Sequence, residues 1–163
     1  MVAAVVLAAG AATRYGSPKQ RRYLPAVLAA LRDAAVERVV VVQGAHPLEA
    51  PGAELVDCPR WADGPGASLR CGLQALPRDV THALIVLADG PTLDARAVRR
   101  LVEHRADAPV VAATYDGSRS HPVVLARAVW DAIPDEGARA LEPLLIDCSE
   151  FPAPGDIDLP PDS

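Results

Sequence analysis

With 163 residues, half of them hydrophobic, and a net charge of −5, the chain has the length of one domain and enough apolar content for a full core. The acidic balance, with no Lys/Arg-rich run and no aromatic–basic interleaving, speaks against a polynucleotide partner, and no apolar stretch has the length of a membrane span. Only 4% of the residues are aromatic, which leaves the core to Val, Leu, Ala and Ile and favours α/β layers with buried parallel strands.

No repeat or low-complexity tract divides the chain, so 1–163 reads as a single domain. Residues 2–7 (VAAVVL) are a continuous apolar run of strand length. No basic segment precedes them and Gly10 ends the run, which fits a buried first strand and not a signal peptide. A Gly/Ala/Ser/Pro loop spans 8–20, and a helix is predicted over about 23–36 from Leu24, Leu28, Leu31 and Ala35 on one face. Residues 38–42 (RVVVV) give a second buried strand and 54–56 a short third one. Leu69 to Leu76 reads as a helix stopped by Pro77. A strand follows at 82–87, a helix at 95–104, strands at 109–114 and 122–125, and helical pieces at 127–132 and 137–145. The tail FPAPGDIDLPPDS is acidic and loop-like. Strands alternating with helices imply right-handed βαβ units and a parallel sheet. Ligands in such sheets bind beyond the carboxyl ends of the strands, which directs attention to the loops after Leu7, Val42, Val56 and Leu87.

Three cysteines, Cys58, Cys71 and Cys148, are widely spaced and odd in number. They read as small buried hydrophobes of a reducing, cytoplasmic compartment, not as a disulfide framework or zinc site.

The loop LAAGAATRYGSPKQ, Leu7 to Gln20, leaves a buried strand through Gly10. A glycine turn at that point exposes clustered backbone N–H groups, a nest for phosphate oxygens. Arg14 and Lys19 follow, with Gly16 between them allowing the chain to fold over a ligand. Fifteen of the 16 basic residues are Arg, and the one lysine, Lys19, falls in this loop. A surface turn with solvated charges is the competing reading. The Walker A pattern fails because Lys19 precedes Gln20 and the glycine spacing is wrong, and no GxGxxG follows the strand. At HALIVLADGP an apolar strand delivers Asp89, and Gly90-Pro91 stop it. A carboxylate there suits Mg²⁺, which takes one or two carboxylates plus phosphates and water. A helix cap or turn aspartate is the alternative.

Leu7, Ala8, Ala9, Gly10, Thr13, Arg14, Gly16 and Lys19 together resemble the signature loop of the molybdenum-cofactor guanylyl- and cytidylyltransferase family of nucleotidyltransferases. LADGP at Asp89 is similar to the family's metal-binding strand end, and Trp61, Gly64, Ser68, Leu69, Gly72 and Leu73 are similar to its W-x-x-G-x-x-x-S-L-x-x-G-L segment. GSRSHP at 117–122 resembles G-x-x-G-H-P with Ser120 in place of Gly, and Asp135, Gly137, Ala138 and Arg139 resemble D-K-G-A-R with Glu136 in place of Lys. Asp156-Ile157-Asp158-Leu159-Pro160 resembles a D-I-D-T-P tail, with Leu159 for Thr. After Lys19 the chain passes into its helix with fewer residues than the family pattern has.

The resemblance implies a Rossmann-like three-layer α/β sandwich with a mostly parallel sheet, similar to nucleotide-diphospho-sugar transferases. It implies nucleotide contacts from Leu7, Ala8, Ala9, Gly10 and Gly16, a base pocket lined by Gly64 and Ser68, and acceptor contacts from His121, Arg139 and Asp158. Asp89, with Asp156 as auxiliary, would hold Mg²⁺. In the reaction so implied, a substrate phosphate oxygen attacks the α-phosphorus of a nucleoside triphosphate, and Lys19 and Arg14 neutralise the departing pyrophosphate. LAAG rather than LAGG favours CTP over GTP. The implied partners are that nucleotide, a phosphorylated small-molecule acceptor of molybdopterin type, and a downstream molybdoenzyme or chaperone. The competing readings are a nucleotidyltransferase for a sugar phosphate or other metabolite, and a non-catalytic nucleotide- or cofactor-binding module.

Overall fold

The structure, a computed structural model, describes residues 1–8, 19–44 and 48–155, with the backbone alone for 19–21. Ala9, Gly10, Arg14, Gly16, Asp156 and Asp158 lie outside the described residues. Seven strands form one sheet: β1 (Val2–Ala8), β2 (Arg38–Gln43), β3 (Glu54–Asp57), β4 (His82–Leu87), β5 (Val110–Tyr115), β6 (Ser118–Ala126) and β7 (Leu144–Asp147), in the spatial order β3-β2-β1-β4-β6-β5-β7. All neighbouring pairs are parallel except the two that involve β6.

Among the described residues three α-helices cover the sheet: α1 (Lys19–Asp33), α2 (Pro65–Gln74) and α3 (Ala95–Glu103). The apolar run of β1 is buried on both faces because helices lie on both sides. Ala4 and Val6 face a core layer with Leu24, Leu31, Val98 and Leu101 of α1 and α3. Ala3 and Val5 face the opposite layer with Leu69 and Leu73 of α2. Gly72 brings α2 close, since a Cβ there would stand 2.5 Å from Val5 and 2.9 Å from Val42. The result is the expected three-layer α/β sandwich.

Four local expectations need correction. The first helix begins at Lys19, not near 23, and runs through Pro25 before ending at Asp33. The second begins at Pro65, not Leu69, because Gly64 at φ 118° turns the chain and Pro65 supplies the fixed φ of a first helical position. The helix expected over 137–145 is a single 3-10 turn, Ala138–Ala140, followed by strand β7 on the free side of β5. Gly137 at φ 86° and Pro143 limit the helical stretch to that one turn. Finally, Cys58 and Cys71 form a disulfide, while Cys148 alone is the expected free, buried thiol. An odd count argues against a framework but not against one bond. Packing α2 over the end of β3 brings the two Cα atoms to 5.9 Å, inside bonding range.

Candidate active site

β1 lies between β2 and β4. The chain winds outward from β1 through β2 to β3, then returns to the other side of β1 as β4. The crevice beyond the carboxyl ends of β1 and β4 is therefore a topological switch point, where loops diverge and leave room for a ligand. A cleft of about 470 Å³ opens there. Its floor is apolar: Leu7 and Leu87, paired across β1 and β4, with Ile85 and Val123. Pro65 at the start of α2 forms one wall; Arg119, Ser120 and His121 of β6 form another; Glu136 to Arg139 close the third side.

Hydrogen bonds lock these walls together. The Arg119 guanidinium donates to the carbonyls of Ala138, Arg139 and Leu141 at 2.9, 3.3 and 3.0 Å, fixing the 137–141 turn to β6. Across the cleft, the Gly66 N–H donates to the Asp135 carbonyl at 2.9 Å. Arg70 reinforces that joint, donating to the Ile133 carbonyl at 2.7 Å and pairing with the Asp135 carboxylate at 3.1 Å. Gly66 is required at this contact, because a Cβ would stand 2.0 Å from the Pro134 carbonyl oxygen.

His121 is buried and precedes a cis peptide to Pro122. Its Nδ1 accepts from the Leu87 N–H at 3.4 Å, and its carbonyl accepts from the buried Tyr115 hydroxyl at 3.1 Å. Burial pushes the Tyr115 pKa up, further from the neutral range. Arg139 and Glu136 are exposed at the rim, which leaves both charges in contact with solvent and with the cleft.

Asp89 sits half-buried in the turn that follows β4. The Ala88 N–H continues the sheet ladder by donating to the Leu7 carbonyl at 3.1 Å, so the residue before Asp89 is fixed to the strand that carries the nucleotide-type loop. The Gly90 Cα faces the His121 ring: a Cβ there would lie 2.9 Å from Cε1 and 3.0 Å from Nε2. Asp89 and His121 are thus brought to the same end of the sheet by neighbouring strands, from sequence positions far apart. Among the described residues no three His, Cys, Asp or Glu side chains gather in a cluster able to hold a metal ion. One carboxylate at a strand end does not cage an ion, yet it matches Mg²⁺ carried in by phosphates, which needs only one or two protein carboxylates.

The structure joins Leu7, His121 and Arg139 in one cleft and sets Asp89 beside it. Ala8 is buried at the last position of β1. Gly64 caps α2, and Ser68 is buried in that helix's first turn behind Pro65, outside the residues that line the cleft. Lys19 opens α1. Sequence reading missed Arg119, whose only signal was an arginine inside the GSRSHP strand, and Thr92, discussed below. It also missed the contact of Trp61 with Gly44 at the end of β2, where a Cβ would stand 2.5 Å from the indole.

Comparison with known proteins follows the same lines. Rv0371c from Mycobacterium tuberculosis superposes with a TM-score of 0.82 at 24% identity, over 97% of this chain and 93% of that one. A second structure of Rv0371c, in complex with manganese, gives 0.68 at 21% identity over 90% and 88%. A nucleotidyl transferase from Methanothermobacter gives 0.71 at 22% identity over 84% and 78%. At these identities the likeness is one of fold. No curated protein matches the chain. The family model of the MobA-like NTP transferase domain matches residues 4–145, and over that span, from β1 through β7, the chain belongs to this nucleotidyltransferase family.

Proposed function

We propose that the chain, acting as one domain in the cytoplasm, is a Mg²⁺-dependent cytidylyltransferase that moves CMP from CTP onto the phosphate of a molybdopterin-type acceptor and releases pyrophosphate. The observation that carries this reading is the cleft at the β1–β4 switch point, flanked by Asp89 and by the end of the strand that leads into LAAGAATRYGSPK, in a chain of the NTP transferase family. A relative of the same fold crystallised with manganese supports a divalent ion.

Asp89, with Asp156, would hold Mg²⁺, which supplies charge neutralisation at the triphosphate. The remaining work belongs to the chain. Gly10 and its neighbours offer backbone N–H groups to the phosphates. Lys19 and Arg14 balance the charge that grows on pyrophosphate as it departs. His121 and Arg139 orient the acceptor in the cleft, with Asp158 supporting, while Gly64, Ser68 and Ala9 bound the base. A phosphate monoester is already ionised near neutrality, so the reaction needs positioning rather than a general base. The product would pass to a molybdoenzyme or its chaperone.

Glu136 favours a second reading. It lines the cleft as an anion where the family pattern carries Lys, which disfavours a strongly anionic acceptor at that point. A less charged sugar-phosphate acceptor, or a module that binds nucleotide without turnover, accommodates it better. Pyrophosphate release measured with each of the four nucleoside triphosphates, with molybdopterin, with a sugar phosphate and with neither, separates these. Release from CTP that depends on molybdopterin is the expected result. Release with a sugar phosphate alone moves the acceptor, and no release with any pair leaves the binding module.

A further inference from the structure

Residues 151–155 turn back and pack on the loop that carries Asp89. Thr92 holds them through both of its polar groups. Its N–H donates to the Pro154 carbonyl at 3.0 Å, and its hydroxyl donates to the Ala153 carbonyl. Gly155, at φ 73°, follows so closely that a Cβ there would stand 3.3 Å from Thr92 Oγ1. On the other side, a Cβ at Gly90 would lie 3.1 Å from Pro154 Cβ as well as against the His121 ring. The His121 ring and Pro154 therefore meet over the space that the missing Gly90 side chain leaves open, and Thr92 pins Pro154 and its neighbours there.

Asp89 occupies the turn between two anchors of unequal strength. On its strand side, Ala88 is bonded into the sheet. On its far side, the turn closes on itself through Gly90 N–H to Leu87 at 3.4 Å, beyond the usual range, and Leu93 N–H to Gly90 at 3.2 Å, at its upper end. Two bonds from Thr92 to the tail add to these. A ligating carboxylate is effective only when its support confines it to a narrow range of settings.

We propose that Thr92 is a positioning residue: by latching residues 153–155 onto the 88–92 loop, it holds the turn bearing Asp89 at the setting that meets a metal–nucleotide complex. This inference rests on the reading of Asp89 as a metal ligand. Thr92 is exposed, so its replacement leaves the core intact. Thr92→Val keeps the shape and deletes the hydroxyl, Thr92→Ser keeps the hydroxyl, and Thr92→Ala serves as a second deletion.

The test is titration of the full chain with Mn²⁺ in the presence of CTP, following free Mn²⁺ by electron paramagnetic resonance, with a thermal melt of each variant. Thr92→Val and Thr92→Ala are expected to weaken Mn²⁺ binding about tenfold, as loss of an outer support does at metal sites. Thr92→Ser should bind like the wild type, and Thr92→Val should add nothing once Asp89→Asn is present. If Asp89→Asn weakens binding but both deletions bind normally, the latch is wrong and the metal reading stands. If Thr92→Ser is as weak as Thr92→Val, the hydroxyl is not the cause and the latch is wrong. If Asp89→Asn itself leaves Mn²⁺ binding unchanged, the metal reading falls and the latch with it.

Discussion

Gly90 illustrates what one residue position tells from sequence and what it withholds. Gly90-Pro91 after an apolar strand is legible as a stop, and Asp89 as a strand-end carboxylate. That the His121 ring and Pro154 both crowd the place a Gly90 side chain would take was not legible, because the three come from segments that meet only in the folded sheet. The candidate site divides in the same way. Residues within one loop, such as Arg14 and Lys19, are read together because they are close in sequence. The bond from Arg119 to the 138–141 carbonyls is invisible until β6 and that turn are adjacent. Lys19 yields the sharpest prediction at this scale. The one lysine of the chain, at the start of α1 and within the phosphate-type loop sequence 7–20, should act on pyrophosphate charge. Lys19→Ala is expected to lower turnover by roughly 10²–10³ while leaving the melting temperature unchanged, the cost typical of losing one preorganised donor. Steady-state rates with saturating nucleotide measure it; wild-type turnover would remove Lys19 from the reaction.

At the scale of elements, the apolar periods located all three helices and six of the seven strands, and missed boundaries where a special backbone residue decides them. Helix α2 starts early because Gly64 and Pro65 set its first turn, a signal present in the sequence but weaker than the Leu69–Leu73 pattern that follows. Strand β7 was hidden because LLID is too short for alternation to register, and its partner β5 lies far away in sequence. Helix α3 permits a quantitative test. Asp94 caps it, accepting from the Arg96 N–H at 2.8 Å and pairing with the Arg96 guanidinium at 2.8 Å. The Arg96 side-chain hydrogen bond holds the Asp94 carboxyl below its ordinary value, against burial, which pushes the other way. A carboxyl depressed in the folded state stabilises it above the unfolded pKa of about 3.9, and that contribution is lost as pH falls through the folded value. Asp94→Ala should therefore cost about 1 kcal/mol near neutrality. Urea unfolding at a series of pH values is expected to show the gap between wild type and variant narrowing below about pH 4. A gap that stays constant on acidification would mean the carboxylate charge is not what caps α3.

For the molecule as a whole, the fold class was legible because it follows from alternating apolar runs, and the antiparallel β6 was not, since strand direction depends on the tight turn at Asp116-Gly117. Both residues have positive φ, and a short turn there returns the chain beside β5 in the only way a two-residue link allows. On the proposed reading nucleotide choice is also a property of the whole, because the base would be bounded both by residues of the LAAG segment and by α2. On that reading, Ala9 in LAAG would put a methyl where the guanylyl pattern has none, leaving less depth for a purine. CTP should therefore bind more tightly than GTP in the presence of Mg²⁺. A ligand that binds only the folded chain raises its stability by about 2.7 kcal/mol at a hundred times its Kd. For a domain of this size that is a rise of roughly 5–10 °C in melting temperature. Thermal melts at equal, millimolar CTP and GTP are expected to show the larger rise with CTP, and Ala9→Gly should reduce the difference by lifting the response to GTP. If GTP gives the larger rise in the wild type, the base assignment reverses while the transfer chemistry is untouched. If Ala9→Gly changes neither response, the loop after β1 does not face the base, and selection must come from the α2 side.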